Sequence, residues 1–123
     1  MANMSRIFRD LHYFNYALSN WDVSRVTNIS GMFDNALSFN QDLSKWDVSR
    51  VTNMAATFLY ATSFNQDLSN WDVSRVTDMQ LMFYEASSFQ QTLCGAAWVN
   101  SKASKVDMFT RSLGSMSDTV CGS

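Results

Sequence analysis

Proline is absent from this chain of 123 residues, and only four glycines occur in it. These two residues make many of the tight turns in proteins, so a chain with so few of them must turn mainly by other means. Ser, Asn and Asp can replace them, because their side chains form hydrogen bonds that mimic a backbone turn. The sequence therefore predicts corners that are built by polar side chains.

Other absences exclude several classes of function. The net charge is -2 and there is no basic run, so we expect no binding of nucleic acid. No apolar stretch approaches the roughly 18 residues of a membrane-spanning helix, so we expect no membrane span. The single histidine, His12, has no nucleophile motif, phosphate-binding loop or metal-ligand pair beside it. We therefore expect a protein that is not an enzyme, with no catalytic residue, no metal site and no cofactor.

A ten-residue motif, Leu-Ser-x-Trp-Asp-Val-Ser-Arg-Val-Thr, occurs three times at intervals of 25 residues. Its copies begin at Leu18, Leu43 and Leu68. Residues 29–53 and 54–78 are identical at 16 of 25 positions, so the copying extends beyond the motif. A fixed period of this size is typical of architectures in which each copy forms one turn of a coil.

Each copy divides into two halves with different patterns. In the second copy, Trp46 and Val48 alternate with polar residues, which is the pattern of a half-buried strand. The apolar residues of the next half follow at steps of three, four and three, which favours one face of a short helix. They are Val51, Met54, Phe58 and Ala61. Thr52 stands where the N-cap of that helix would be.

Stacking the copies would turn the repeated apolar positions into continuous rows and bury them. We expect the core to consist of one tryptophan row and two phenylalanine rows. These are Trp21, Trp46 and Trp71; Phe8, Phe33, Phe58 and Phe83; and Phe14, Phe39, Phe64 and Phe89. The sequence predicts an α/β solenoid that forms a single domain over residues 1–123. Its repeats are predicted at about 4–28, 29–53, 54–78 and 79–103, with a diverged C-terminal cap over 94–123.

The repeated pattern Leu-x-x-Trp-x-Val-x-x-Val-Thr-x-Met-x-x-x-Phe-x-x-Ala-x-x-Phe resembles the BspA-type leucine-rich repeat. It is still more similar to a 25-residue surface repeat of mollicutes and marine microalgae, Phe-Asn-Gln-Asp-Leu-Ser-x-Trp-Asp-Val-Ser, a family of unknown function. The resemblance is strong from residue 4 to about residue 93. It implies a leucine-rich-repeat-like solenoid of about four turns, with one strand and one short helix per turn. It also implies a surface or secreted protein that holds partners and performs no catalysis.

The two cysteines, Cys94 and Cys121, both fall in the predicted C-terminal cap. A disulfide between them would stabilise the cap by roughly 3 to 4 kcal/mol in the chain-entropy model. From the residues alone, two reduced thiols in a cytosolic protein remain an alternative. The resemblance to surface proteins implies the disulfide.

The N-terminal end has no dedicated cap of its own. Its apolar residues, among them Met4, Ile7 and Leu11, match the second half of a repeat. We therefore expect the chain to be a segment of a longer array. An edge-to-edge homodimer can form through this uncapped N-terminal end.

The polar positions of the motif form rows that point outward if the apolar rows point inward. These candidate partner-binding residues are Asp22, Asp47, Asp72, Ser24, Ser49, Ser74, Arg25, Arg50, Arg75, Asn20, Lys45 and Asn70. Four interpretations stay open for the aspartates. They can form a solvated row whose charges the neighbouring arginines compensate, or accept backbone hydrogen bonds at the corners. They can instead contact a polar partner, or bind calcium through carboxylate oxygens.

A tryptophan row that faced solvent could instead stack on sugars. By alternation, that arrangement would bury the aspartate row, and unpaired buried carboxylates are costly. The favoured function is a non-catalytic repeat scaffold for protein–protein or cell-surface interaction, located on the cell surface or secreted. The alternative is a calcium- or carbohydrate-binding, lectin-like module that uses the aspartate or tryptophan rows.

Overall fold

The computed structural model describes residues 2–122, and regular secondary structure is sparse in it. Strand β1 is Thr92–Leu93, helix α1 is Ala96–Val99 and strand β2 is Ser115–Met116. The two strands pair in parallel, with Thr92 opposite Ser115 and Leu93 opposite Met116. No helix in the described part of the chain is long and apolar enough to cross a membrane. Residues 1 and 123, which end the predicted domain and cap, lie outside the described residues.

The prediction of a leucine-rich-repeat-like α/β solenoid, with a strand and a short helix in each turn, is wrong. Residues 2–91 contain only turns, isolated bridges and irregular backbone. Thr52 is not a helix N-cap, and the apolar residues that follow it lie in a series of turns. The copies are therefore built from turns in place of strands and helices.

Adjacent copies nevertheless lie side by side in a fixed register. One residue of each copy forms a parallel bridge with its equivalent in the next copy. The bridges connect Asn3, Asn28, Asn53, Asp78 and Ser104 in series. The same backbone positions of successive copies are thus stacked on one another.

Backbone groups in the second half of each copy alternate between two kinds of hydrogen bond. In the second half of the copy that begins at Leu43, four N–H groups donate to carbonyls of the next copy at 2.9 Å. The donors are Met54, Ala56, Phe58 and Tyr60, and the acceptors are Asp78, Gln80, Met82 and Tyr84. The N–H groups of Thr57, Leu59 and Ala61 donate instead to the carbonyl three residues earlier. We call this arrangement the turn ladder.

The turn ladder requires two residues per copy with a left-handed backbone. They have φ between 52° and 63° and are Arg6, Asp10, Gly31, Asn35, Ala56, Tyr60, Leu81, Glu85, Asp107 and Arg111. Such a conformation costs a non-glycine residue about 1–2 kcal/mol, so it must be stabilised by its surroundings. The hydrogen bonds between copies provide that stabilisation, and they also remove the donors that an α-helix would use within its own segment.

Two rows of stacked phenylalanine rings form the centre of the core, as predicted. Phe8, Phe33, Phe58 and Phe83 make one row, which Phe109 extends beyond the prediction, with ring centroids 5.4–5.5 Å apart. Phe14, Phe39, Phe64 and Phe89 make the other, at 5.8–6.0 Å. Within one copy the two rows touch, since the rings of Phe58 and Phe64 are 4.0 Å apart. The apolar positions face the core in the turn ladder much as they would have done in a helix.

The prediction that polar side chains build the corners is confirmed. At nine positions within residues 2–122, an Asp or Asn Oδ1 accepts the N–H of the residue two positions later. In the third copy these residues are Asp67, Asp72 and Asp78. This bond closes a turn without glycine or proline.

The C-terminal segment pairs with strand β1 through β2 and contains the Cys94–Cys121 disulfide. The backbone N–H of Cys121 also donates to the carbonyl of Cys94, at 2.8 Å. Gly95 lies against the carbonyl of Ser69, where a Cβ atom would collide. Helix α1 then places Trp98 in the core, fully buried, with its Nε1 donating to the carbonyl of Leu68 at 2.8 Å.

Candidate binding face

All twelve predicted partner-binding residues are at least partly exposed, and they recur with the 25-residue repeat. The aspartates, the arginines, Lys45 and both asparagines are exposed, whereas Ser24 and Ser49 are half-buried. We call the rows Asp22, Asp47 and Asp72; Ser24, Ser49 and Ser74; and Arg25, Arg50 and Arg75 the Asp-Ser-Arg face. The repeated turns hold these rows in register.

Each aspartate of this face accepts a hydrogen bond from the serine two residues later. The N–H groups of Ser24 and Ser49 lie 3.0 Å from the Oδ1 atoms of Asp22 and Asp47. The corresponding distance from Ser74 to Asp72 is 3.1 Å. In the first copy the Ser24 hydroxyl donates to the same oxygen at 2.6 Å. The interpretation in which the carboxylates accept hydrogen bonds at the corners is therefore confirmed.

These hydrogen bonds change the acidity of the row. Donation from the hydroxyl and the N–H of the paired serine lowers the pKa of Asp22, Asp47 and Asp72 below the ordinary 3.8. The charge of the neighbouring aspartate acts in the opposite direction on the pKa of Asp47 and Asp72, and it is the smallest of the causes. The three carboxylates therefore remain ionised at neutral pH although they form one row.

The arginines of the face make no ion pair within residues 2–122. They act on the aspartates only at longer range, where each lowers the pKa of the carboxyl in its own copy. Lys45 is likewise exposed and without an ion pair in this part of the chain. Asn70 differs, since its side-chain amide donates to the carbonyl of Ser44 at 3.0 Å. The guanidinium groups of Arg25, Arg50 and Arg75 are thus available to a partner.

Two open grooves meet at Asp72. One, of about 740 Å³, runs past Asp42, Ser44 and Asn70 to the Cys121 end of the disulfide. The other, of about 730 Å³, is bordered by Ser74, Arg75 and Lys102. Ala96 and Ala97 of α1 line both grooves. Sequence reasoning missed these alanines, and the only signal for them was the interruption of the repeat after Leu93.

The tryptophan row does not form a sugar-stacking surface. Trp46 and Trp71 are buried, and their Nε1 atoms donate to the carbonyls of Leu18 and Leu43 at 2.9 and 2.8 Å. Trp21 stands in the first copy, where no earlier leucine lies beside it, and it is 43% exposed. Burial of Trp46 and Trp71 agrees with the expected core row, and the exposure of Trp21 departs from it.

Side chains that could hold a metal ion are dispersed. No group of three His, Cys, Asp or Glu residues with suitable spacing occurs in the described range, 2–122. His12 is exposed, and its Nε2 lies 3.2 Å from the side-chain amide of Asn35. The hydroxyls of Thr27, Thr52 and Thr77 donate to carbonyls of the preceding copy, so this row also contributes to stacking.

The fold and the face together define a protein of stacked, turn-built repeats with a disulfide-bonded C-terminal segment. The chain belongs to the family described as "Mycoplasma protein of unknown function, DUF285", whose model matches residues 2–119. That match does not confirm the resemblance to BspA-type leucine-rich repeats. No curated protein and no solved structure matches the chain.

Proposed function

We propose that this protein is a non-catalytic repeat scaffold that binds a protein or cell-surface partner through the Asp-Ser-Arg face. The observation that carries the proposal is the row of exposed arginines without ion pairs, held in register beside ionised aspartates. A periodic surface of fixed charges suits an extended partner, because complementary charges steer association and set its register.

The two grooves at Asp72 extend this face toward the C-terminal segment. They add an apolar contribution from Ala96 and Ala97 to the charged rows. Binding surfaces commonly combine an apolar centre with polar groups around it. We therefore place the strongest partner contacts around Asp72 and Arg75.

A location on the cell surface or outside the cell is part of the same proposal. The Cys94–Cys121 disulfide supports it, because disulfides persist in oxidising compartments and are rare in the cytosol. In this proposal the chain is a segment of a larger surface or secreted protein.

The proposal can be tested on an array that carries extracellular proteins and glycans side by side. The labelled wild-type chain is compared with the variant Arg50→Gln/Arg75→Gln, which leaves every Asp–Ser turn intact. We expect saturable binding to array proteins, weakened at least about tenfold in the variant, since both substitutions remove charges from the face.

The control is Ser63→Glu/Ser87→Glu, which lowers the net charge by the same two units at exposed positions outside the face. It should bind like the wild type. Binding to array proteins that both variants weaken equally would contradict a role of this face. Binding to glycans alone, or binding abolished by EDTA, would favour the lectin-like or calcium-dependent alternative.

A further inference from the structure

The turn ladder gives the stack of copies a direction. In every copy the N–H groups of the ladder donate toward the following copy, and the carbonyls accept from the preceding one. Phe8 donates to Met32, Phe33 to Thr57, Phe58 to Met82 and Phe83 to Met108, at 2.9–3.0 Å. The two ends of the stack must therefore differ in their unpaired backbone groups.

The first copy ends in acceptors, and the last turn of the stack, Ser104–Arg111, ends in donors. Among residues 2–122, the carbonyls of Ser5, Ile7 and Arg9 accept no hydrogen bond. At the other end, the N–H groups of Lys105, Asp107, Phe109 and Arg111 donate none within the same range. A symmetric pairing of two N-terminal edges would set acceptor against acceptor. A head-to-tail contact would set donor against acceptor.

Both ends also carry apolar surface that another copy could cover. Ile7 and Leu11 are 40% and 45% exposed at the first copy, and Val106 and Leu113 are 62% and 69% exposed at the last. The rings of Phe8 and Phe109, at opposite ends of one row, each stack on a neighbour in the row on one side only. The segment after Arg111 does not cover the donor edge. The N–H groups of Ser115 and Ser117 instead donate to the carbonyls of Gln91 and Leu93, in the preceding copy.

From these observations we infer that the chain of residues 1–123 associates with a second copy of itself head to tail, with Asn3–Asp10 of one molecule stacked on Ser104–Arg111 of the next. The register follows from the bridge series, in which Ser104 occupies the position of Asn3. In this register Phe8 stacks on Phe109 and continues the phenylalanine row. Because such an interface is heterologous, it produces open-ended stacks unless the rotation closes them.

The charges at the two edges are complementary in this register. Arg6 comes opposite Asp107, and Asp10 comes opposite Arg111. Side chains at the second of these positions already bond between adjacent copies within one molecule. The Arg111 guanidinium lies 2.9 Å from a Glu85 carboxylate oxygen, and the Asn35 amide donates to Asp10 at 2.9 Å. Opposite charges at matched positions favour this register over the symmetric one.

Sedimentation velocity of the full chain over a concentration series up to about 1 mM tests the inference. The wild type should form dimers and larger species. Arg6→Asp and Asp107→Arg should each raise the dissociation constant about tenfold, because each places like charges at the contact. Near-UV circular dichroism of each variant checks that its core remains native.

Association should return when the two variants are mixed in equal amounts, and also in the double variant, since both restore an opposite-charge pair. A wild type that remains monomeric throughout would overturn the inference. Association that Asp107→Arg leaves unchanged would also overturn it. The head-to-tail contact includes residue 107, whereas a symmetric N-terminal contact does not. Neither substitution touches the Asp-Ser-Arg face, so the result is independent of the proposed partner binding.

Discussion

The residues with positive φ show how single positions hold the turn ladder together. Gly31, Ala56 and Leu81 occupy the same place in successive copies, and their φ angles lie between 58° and 62°. Glycine adopts this conformation without steric cost, whereas a side chain at Cβ makes it unfavourable. The copies therefore differ in local strain although their backbones are the same.

Exchanging glycine and alanine at this place should change stability in opposite directions. Ala56→Gly should raise the free energy of unfolding by up to about 1 kcal/mol, because it relieves the left-handed strain. Gly31→Ala should lower it by about 1 kcal/mol or more. The new Cβ would also lie only 3.1 Å from the Cγ of Arg6. Chemical denaturation measures both effects.

Ala55→Gly is the matched control, since Ala55 is the neighbouring residue and is not among those with positive φ. It should lower stability by roughly 0.5–1 kcal/mol through the backbone entropy of glycine. Equal destabilisation by Ala55→Gly and Ala56→Gly would contradict the assignment of strain to residue 56.

The aspartates that close the corners make stability depend on pH. Serine hydrogen bonds lower the pKa of Asp22, Asp42, Asp47 and Asp72 in the folded protein. A lowered pKa gives stability that is present above the ordinary value of 3.8 and is lost as pH falls through the lowered value. Burial raises the pKa of Asp34, which gives an effect of opposite sign.

Thermal unfolding should therefore show a Tm that is nearly constant from pH 7 to about 5 and falls below about pH 4. Asp47→Asn/Asp72→Asn should make the fall shallower, because an amide oxygen can close the same turn without titrating. Asn28 and Asn53 already do so, at 2.9 Å. If the variant lost as much Tm in acid as the wild type, the corner aspartates would not be the cause.

At the scale of elements, the same apolar spacing fits two different backbones. The steps from Met54 to Phe58 and Ala61 match one face of a helix, and these residues are fully buried in the turn ladder as well. Periodicity therefore predicted which side chains enter the core but not the backbone that carries them. Of the candidate site, the exposed rows and the corner role of the aspartates could be predicted. The grooves could not, because α1 exists only where the repeat is interrupted.

The C-terminal segment is the element that depends on a covalent bond. Cys94 and Cys121 are separated by 27 positions, and closing a loop of that length stabilises a fold by roughly 3.5 kcal/mol in the chain-entropy model. Cys121→Ser should lower the free energy of unfolding by about this amount. It should also make residues 112–122 the first site of limited proteolysis, since it removes the covalent bond that holds the end of this segment to Cys94.

Reductant provides the control for the disulfide. Wild type and Cys121→Ser should unfold at the same temperature when reductant is present, and the wild type should unfold at a higher temperature when it is absent. If reductant left the Tm of the wild type unchanged, the disulfide would add nothing to the stability of the segment.

At the scale of the whole molecule, stability comes from contacts between copies, as in other stacked repeats. Phe58 lies in the middle of the stack, with the rings of Phe33 and Phe83 each 5.5 Å from its own. Phe14 lies in the first copy, where it is only partly buried. A phenylalanine side chain therefore contributes differently to stability according to its place in the stack.

Phe58→Ala should lower the free energy of unfolding by about 3–5 kcal/mol, because it opens a cavity in a row with neighbours on both sides. Phe14→Ala should cost clearly less, since its ring has solvent on one side. Urea unfolding of the two variants measures the difference. Equal losses would indicate that the edge copy is as well covered in solution as the middle one.

The sequence by itself determined the 25-residue register, the apolar rows and the polar corners, because each depends on residue type at a repeated position. The tertiary structure decided the backbone of the second half of each copy. Met54, Ala56 and Phe58 donate to carbonyls of the next copy, and those acceptors exist only once the copies are stacked. Hydrogen bonds between copies are not encoded in the spacing of any single one, so the spacing alone favoured a helix.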